Sequence, residues 1–167
     1  PGREQLASAG SDGTIRFWDV HTHAQIGRPL RVSSAAVHDV AFSPDGHRLA
    51  TAHDDWVVRL WDADDRKLLA QARSDGAVNR LAFSADGREL ATAANDKAVR
   101  LWDARTLAPR SRPLIGHDNA VLGVAFRPDS RMVASAGGDG TVRLWDVRSG
   151  SELGAPLAAD DARTVTS

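Results

Sequence analysis

The sequence predicts an all-β fold made of four tandem copies of a four-stranded antiparallel sheet. Three observations carry this. A Trp-Asp dipeptide recurs at Trp18-Asp19, Trp61-Asp62, Trp102-Asp103 and Trp145-Asp146, each time about 40 to 45 residues further on. The residues ending on each Trp alternate with period two and are rich in β-branched and apolar types. Turns rich in Gly, Asn and Asp separate the alternating runs.

Within each copy the elements follow a fixed order. A first strand is read at Val37-His38-Asp39-Val40-Ala41-Phe42, Val78-Asn79-Arg80-Leu81-Ala82-Phe83 and Val121-Leu122-Gly123-Val124-Ala125-Phe126. Its apolar residues break period two, as from Val37 to Val40, which predicts a β-bulge. Turn chemistry such as Ser43-Pro44-Asp45-Gly46 follows. The second strand is Leu6-Ala7-Ser8-Ala9, Leu49-Ala50-Thr51-Ala52, Leu90-Ala91-Thr92-Ala93 or Val133-Ala134-Ser135-Ala136. It forms a hairpin with the third, which is Thr14-Ile15-Arg16-Phe17-Trp18 in the first copy and Thr141-Val142-Arg143-Leu144-Trp145 in the last. A weaker fourth segment, such as Lys67-Leu68-Leu69-Ala70 or Glu152-Leu153-Gly154-Ala155-Pro156-Leu157, has prolines that suit a sheet edge. The copies span 1–31, which lacks a first strand, then 32–73, 74–115 and 116–158. Residues 162–167 read as the start of a further first strand.

Composition narrows the function classes. With 42% hydrophobic and 26% charged residues, the chain sits at the globular norm, and no apolar run approaches the length of a bilayer span. A net charge of -1, from 21 basic and 22 acidic residues spread along the chain, argues against nucleic acid or an anionic membrane as partner. The absence of cysteine excludes disulfides and thiolate sites. The opening Pro1-Gly2-Arg3-Glu4 reads as the edge of an excised segment, so the compartment stays open, with the cytoplasm favoured.

These repeats resemble the WD-repeat family, across essentially the whole chain. The resemblance implies a β-propeller of four-stranded blades set radially about an axis, and a role in binding proteins without catalysis or cofactor. It also implies a hydrogen-bonded tetrad that ties the loop before the first strand to the second and third strands. In the fourth copy the matching residues are His117, Ser135, Asp139 and Trp145. The other copies hold partial sets, Ser8, Asp12 and Trp18, then Thr51, Asp55 and Trp61, then Thr92, Asp96 and Trp102. The positions matching His117 are Ser33 and Ser74, so blades 2 and 3 are expected to lack one hydrogen bond each.

His117, Ser135 and Asp139 also have the residue types of a hydrolytic triad. The tetrad reading is preferred, because a nucleophile needs an exposed oxygen and an oxyanion hole, so no catalytic residue is assigned. His21 and His23 specify no third metal ligand, and Asp62, Asp64 and Asp65 lack a Ca²⁺ loop's alternation, so both read as solvated turns and no metal is assigned. The strand arginines Arg16, Arg59, Arg100 and Arg143 read as partners of nearby acids.

Trp56 stands in a hairpin turn where the other copies carry Gly13, Lys97 and Gly140. The resemblance places that turn and the loop before the first strand on one face. A partner site is therefore expected at Ser34, His53, Trp56, Asn95, Lys97, Asp118 and Asn119, with Trp56 as anchor. A seven- or eight-bladed ring allots each blade about 45 to 51 degrees, so four blades make about half of a closed ring. Closure is expected from a second copy, giving a homodimer of eight blades, or from further repeats of a parent protein. The remaining alternatives are a regulatory module of a multidomain signalling protein and a hydrolase with its site at the axis.

Overall fold

The computed structural model describes residues 5–158, and every regular element in that span is a β-strand. Blade 1 holds β1 (Gln5–Ala9), β2 (Thr14–Asp19) and β3 (Leu30–Arg31). Blade 2 holds β4 (Val37–Phe42), β5 (Arg48–His53), β6 (Val57–Asp62) and β7 (Leu68–Arg73). Blade 3 holds β8 (Val78–Phe83), β9 (Glu89–Ala94), β10 (Ala98–Asp103) and β11 (Leu114–Ile115), and blade 4 holds β12 (Val121–Phe126), β13 (Met132–Gly137), β14 (Thr141–Asp146) and β15 (Leu157–Ala158). Strands adjacent in sequence are adjacent in the sheet and antiparallel, so each blade is a meander. The further strand expected at 162–167 lies outside the described residues.

The broken period of the first strands has the predicted consequence. Register slips between Val37 and Asp39, between Val78 and Arg80, and between Val121 and Gly123. The outer strands depart from expectation. Only β7 runs for six residues, whereas β3, β11 and β15 have two each. Pro29, Pro113 and Pro156 immediately precede the three short strands and offer no N–H to the ladder, while blade 2 has no proline there.

The blades stack face to face around an axis lined by first strands, with β8 packed between β4 and β12. Ile15 and Phe17 of blade 1 pack on Leu49 and Trp61 of blade 2. Val58 and Leu60 of blade 2 meet Leu90, Trp102 and Leu107 of blade 3. Val99, Leu101 and Leu114 of blade 3 meet Val133 and Trp145 of blade 4. Because blades 2 and 3 are covered on both faces, Leu49–His53 and Leu90–Ala94 are buried at every position, and alanines at 50, 52, 91 and 93 let the sheets approach closely. The end faces differ. Leu6 is 62% exposed where its counterparts Leu49, Leu90 and Val133 are fully buried, and Val142 is 37% exposed where Val58 and Val99 are fully buried.

The turn between second and third strands needs a left-handed residue in every blade. Gly13, Trp56, Lys97 and Gly140 have φ of 75°, 66°, 70° and 77°. Only glycine adopts this conformation without a Cβ penalty. Lys97→Gly is therefore expected to stabilise the chain by about 1 kcal/mol; a urea melt checks this, and a lowered midpoint would show that the lysine side chain contributes more than its backbone costs.

Candidate functional site

In blade 4 the four tetrad side chains form one chain of hydrogen bonds. The Trp145 indole N–H donates to Ser135 Oγ at 2.8 Å, and Ser135 lies 2.8 Å from His117 Nε2. His117 Nδ1 faces both Asp139 oxygens, at 2.9 and 3.2 Å. A carboxylate only accepts, so Nδ1 carries the proton and Nε2 accepts from the Ser135 hydroxyl. Asp139 also receives the N–H of Asp118 and the N–H and hydroxyl of Thr141. Burial works to raise the pKa of Asp139, but these donors outweigh it and hold the carboxyl well below the usual range. His117 and Ser135 are both buried, so the hydroxyl is occupied and enclosed, which is the opposite of an exposed nucleophile.

The other blades keep the Trp bond and vary the rest. Trp18 donates to Ser8, Trp61 to Thr51 and Trp102 to Thr92, at 2.9 to 3.0 Å. Blade 2 does not lack the histidine bond that its loop serine implied. His53, at the end of β5, turns inward and places Nε2 2.7 Å from Thr51 Oγ1, the contact that His117 makes in blade 4. The sequence points to the partner face for His53; it is instead fully buried, because it fills the volume that a loop histidine occupies in blade 4. The matching residue of blade 4 is Gly137, and a Cβ there would overlap His117 Nδ1. In blade 3 the aligned residues Ala94 and Ser74 are both buried.

The aspartates also find substitutes. Ser33 donates to Asp55 at 3.0 Å, and Arg59 reaches the same carboxylate at 2.7 Å. Arg16 pairs with Asp12 at 2.7 Å, and Arg100 bridges Asp96 and Asp75 at 2.5 Å each. In blade 4, where His117 holds Asp139, the equivalent Arg143 turns to Glu152 at 2.9 Å. Burial sets the His53 pKa at about 4, with the nearby Arg59 adding to the effect.

The aspartate of each Trp-Asp pair has a role that its spacing alone did not disclose. Asp19, Asp62, Asp103 and Asp146 each accept the backbone N–H three residues on. These backbone donors lower all four pKa values. Side-chain capping of this kind is why a short acidic residue ends the third strand. The same bonds give the segments around His21 and Asp64 a structural account as turns.

The hairpin turns and the loops before the first strands lie together at one end of the blades, joined by Asp54 N–H to Ala36 O, Asn95 N–H to Ala77 O and Gly138 N–H to Ala120 O. Ser34, Trp56, Asn95, Lys97, Asp118 and Asn119 are all exposed at this end. Trp56 is 44% exposed, and the Arg73 guanidinium lies 5.5 Å from its ring centroid. In blade 3 the Asn79 side-chain amide donates to Asn95 Oδ1 at 2.8 Å.

The family described as WD domain, G-beta repeat matches the chain at residues 1–19, 27–62, 66–103 and 109–146. The chain belongs to the WD-repeat family. Its blades are similar to stretches of larger WD-repeat proteins. A nuclear distribution protein PAC1-2 of Uncinocarpus reesii is 48% identical over 56 residues, 34% of this chain and 12% of that protein. A guanine nucleotide-binding protein subunit beta of Zea mays is 37% identical over 57 residues, 34% of this chain and 15% of that protein. A transducin beta-like protein 3 of Rattus norvegicus is 40% identical over 67 residues, 39% of this chain and 8% of that protein. The matched part thus spans a small fraction of these relatives.

Proposed function

We propose that this chain is a non-catalytic protein-interaction scaffold that captures a protein partner through the turn face centred on Trp56. The supporting observation is the cost of keeping Trp56 there. It holds a left-handed backbone that glycine adopts freely in blades 1 and 4, and it leaves a large apolar ring half in water. The turn needs the left-handed backbone but not a tryptophan on it, since glycine fills the position in blades 1 and 4. Arg73 lies over the ring, and Lys97 and Asn95 are exposed polar residues at the same end of the blades.

The ring is completed by further WD blades, from a second copy or from repeats elsewhere in a parent protein. The exposed apolar faces of blades 1 and 4 support this reading, since the same positions are buried at every internal interface. The small share of the relatives that the chain matches also favours a part played within a larger assembly, such as a regulatory module of a signalling protein.

Trp56→Ala is expected to abolish capture of protein partners from the native source while leaving the melting transition within about 1 kcal/mol of the parent. Undiminished capture would remove Trp56 from the site.

A further inference from the structure

Blade 2 differs from the other three along its outer edge. In blade 1 the Ile26 N–H donates to Phe17 O and the next pairing is Leu30 with Ile15, so Gly27, Arg28 and Pro29 leave the ladder. Blade 3 repeats this, with Arg110 bonded to Leu101, Leu114 paired with Val99, and Ser111, Arg112 and Pro113 between them. Blade 4 does so with Leu153 on Leu144, Leu157 opposite Val142, and Gly154, Ala155 and Pro156 between them. Each of these edges is interrupted by a short excursion that ends in proline, a combination that keeps a further strand from pairing. In blade 2, Ala70, Gln71 and Ala72 pair with Leu60, Arg59 and Val58 without a break.

The Ser74 N–H donates to Trp56 O, which fixes the phase of β7: Ala72 and Ser74 turn their backbone groups to β6, while Gln71 and Arg73 turn theirs away. Gln71 therefore holds an outward N–H at the position that proline takes in the other three blades, one residue before the pairings named above. Among the described residues no other strand bonds to this side of β7. Leu68, Gln71 and Arg73 share the face of Trp61, Arg59 and Val57, their partners in β6. They are exposed, as is Leu69, and the two leucines are 46% and 50% accessible. Between Lys67 and Arg73 the segment holds no acid, and Arg73 lies over Trp56 without a carboxylate partner among the described residues.

We propose that an extended segment of a protein partner adds to β7 as a fifth strand of blade 2. It exchanges backbone hydrogen bonds with Gln71 and Arg73, and sets an acidic residue beside Arg73 and an apolar one beside Leu68 and Leu69. The outward N–H and C=O groups select an extended chain, and the charges of Lys67 and Arg73 select an acidic one. The edge meets the turn face where Arg73 lies over Trp56, so one partner reaches both. The proposal rests on the reading of the chain as an interaction scaffold, and it adds the form in which the partner binds.

The probe is a synthetic peptide with blocked ends, Glu-Val-Thr-Val-Thr-Val-Glu, titrated into the isotope-labelled chain. It is expected to slow hydrogen exchange at the Gln71 and Arg73 amides, and its fully N-methylated form, which lacks backbone donors, to bind at least about tenfold more weakly. Gln71→Pro copies the other three blades and is expected to weaken binding by at least about tenfold while the cooperative urea transition is retained, because β6 does not use that N–H. Gln71→Thr keeps the N–H and binds as the parent does. Unchanged exchange at both amides, equal binding by Gln71→Pro or by the N-methylated peptide, or tighter binding of a peptide ending in Lys overturns the proposal. Protection that rises with protein concentration without peptide also overturns it, since a second copy would then hold the edge. Capture of the native partner lost by Gln71→Pro but kept by Trp56→Ala would sink the Trp56 reading alone, and the reverse would sink the added strand alone.

Discussion

Gly137→Ala is expected to destabilise the chain by about 3 kcal/mol, because the added methyl must displace a buried, hydrogen-bonded ring. A Cβ at 137 would overlap His117 Nδ1 and crowd its partner Asp139. The ring has nowhere to go, since its other nitrogen is held by Ser135 and both groups are buried. Blade 3 shows how the same position accepts a methyl: Ala94 sits where Gly137 does, and the loop carries Ser74 in place of histidine. Combining Gly137→Ala with His117→Ser rebuilds that arrangement, so the pair is expected to cost at least 1 kcal/mol less than the sum of the single changes, as a rough lower bound. Urea melts of the four proteins at neutral pH provide the cycle. Additive penalties would show that the methyl acts on something other than the histidine.

Acid is expected to weaken the fold in two separable stages, the first set by His53. Its ring titrates near its ordinary 6.5 when unfolded and at about 4 when folded, because burial disfavours the charged form. Between those values the unfolded chain binds the extra proton. The stabilisation is therefore complete above pH 6.5, falls as the pH drops, and is gone below about 4. Its size is about 2 kcal/mol, since each tenfold loss of proton affinity is worth about 1.4 kcal/mol and relaxation around the charged ring recovers part of the total. His53→Ala removes this stage and flattens stability between pH 4 and 6.5, at a cost of roughly 2 kcal/mol at neutral pH for the lost packing and hydrogen bond. The carboxylates that cap the turns after each Trp-Asp have lowered pKa values, so their contribution persists above their ordinary 3.8 and is lost only as the pH falls further. A variant whose melting midpoint drops across pH 4 to 6.5 as steeply as the parent's would refute the assignment to His53.

The strands and bulges of this protein were legible because they are written in local pattern. Period two placed β2, β6, β10 and β14, and its interruption at Val37, Val78 and Val121 placed the bulges, since each depends on which side of one strand a residue faces. Proline marked the outer segments as edges, but the loss of a donor limits a ladder by an amount that pairing partners decide, so the two-residue length of β3, β11 and β15 was not visible. The arginine pairings were legible in kind but not in partner. Arg143 goes to Glu152 because His117 already holds Asp139, and that competition exists only when the loop and the turn are brought together.

The candidate site divides along the same line. Spacing identified the turn that holds Trp56, and its exposure follows from the chain reversal there. His53, three positions earlier, reads from the sequence as part of the same surface and lies in the core, because its orientation depends on whether a loop residue some twenty positions away leaves a hole for it. Serine at 33 leaves one; histidine at 117 does not, and glycine at 137 is its complement. The repeat period, the strand order and the Trp-to-hydroxyl bond were thus determined by the sequence itself, since each needs only neighbours within one hairpin. Which residue completes each tetrad, which arginine is left free to reach a different acid, and which faces stay uncovered were decided by tertiary structure alone, because packing compares volumes and charges across blades and no single repeat contains both sides of that comparison.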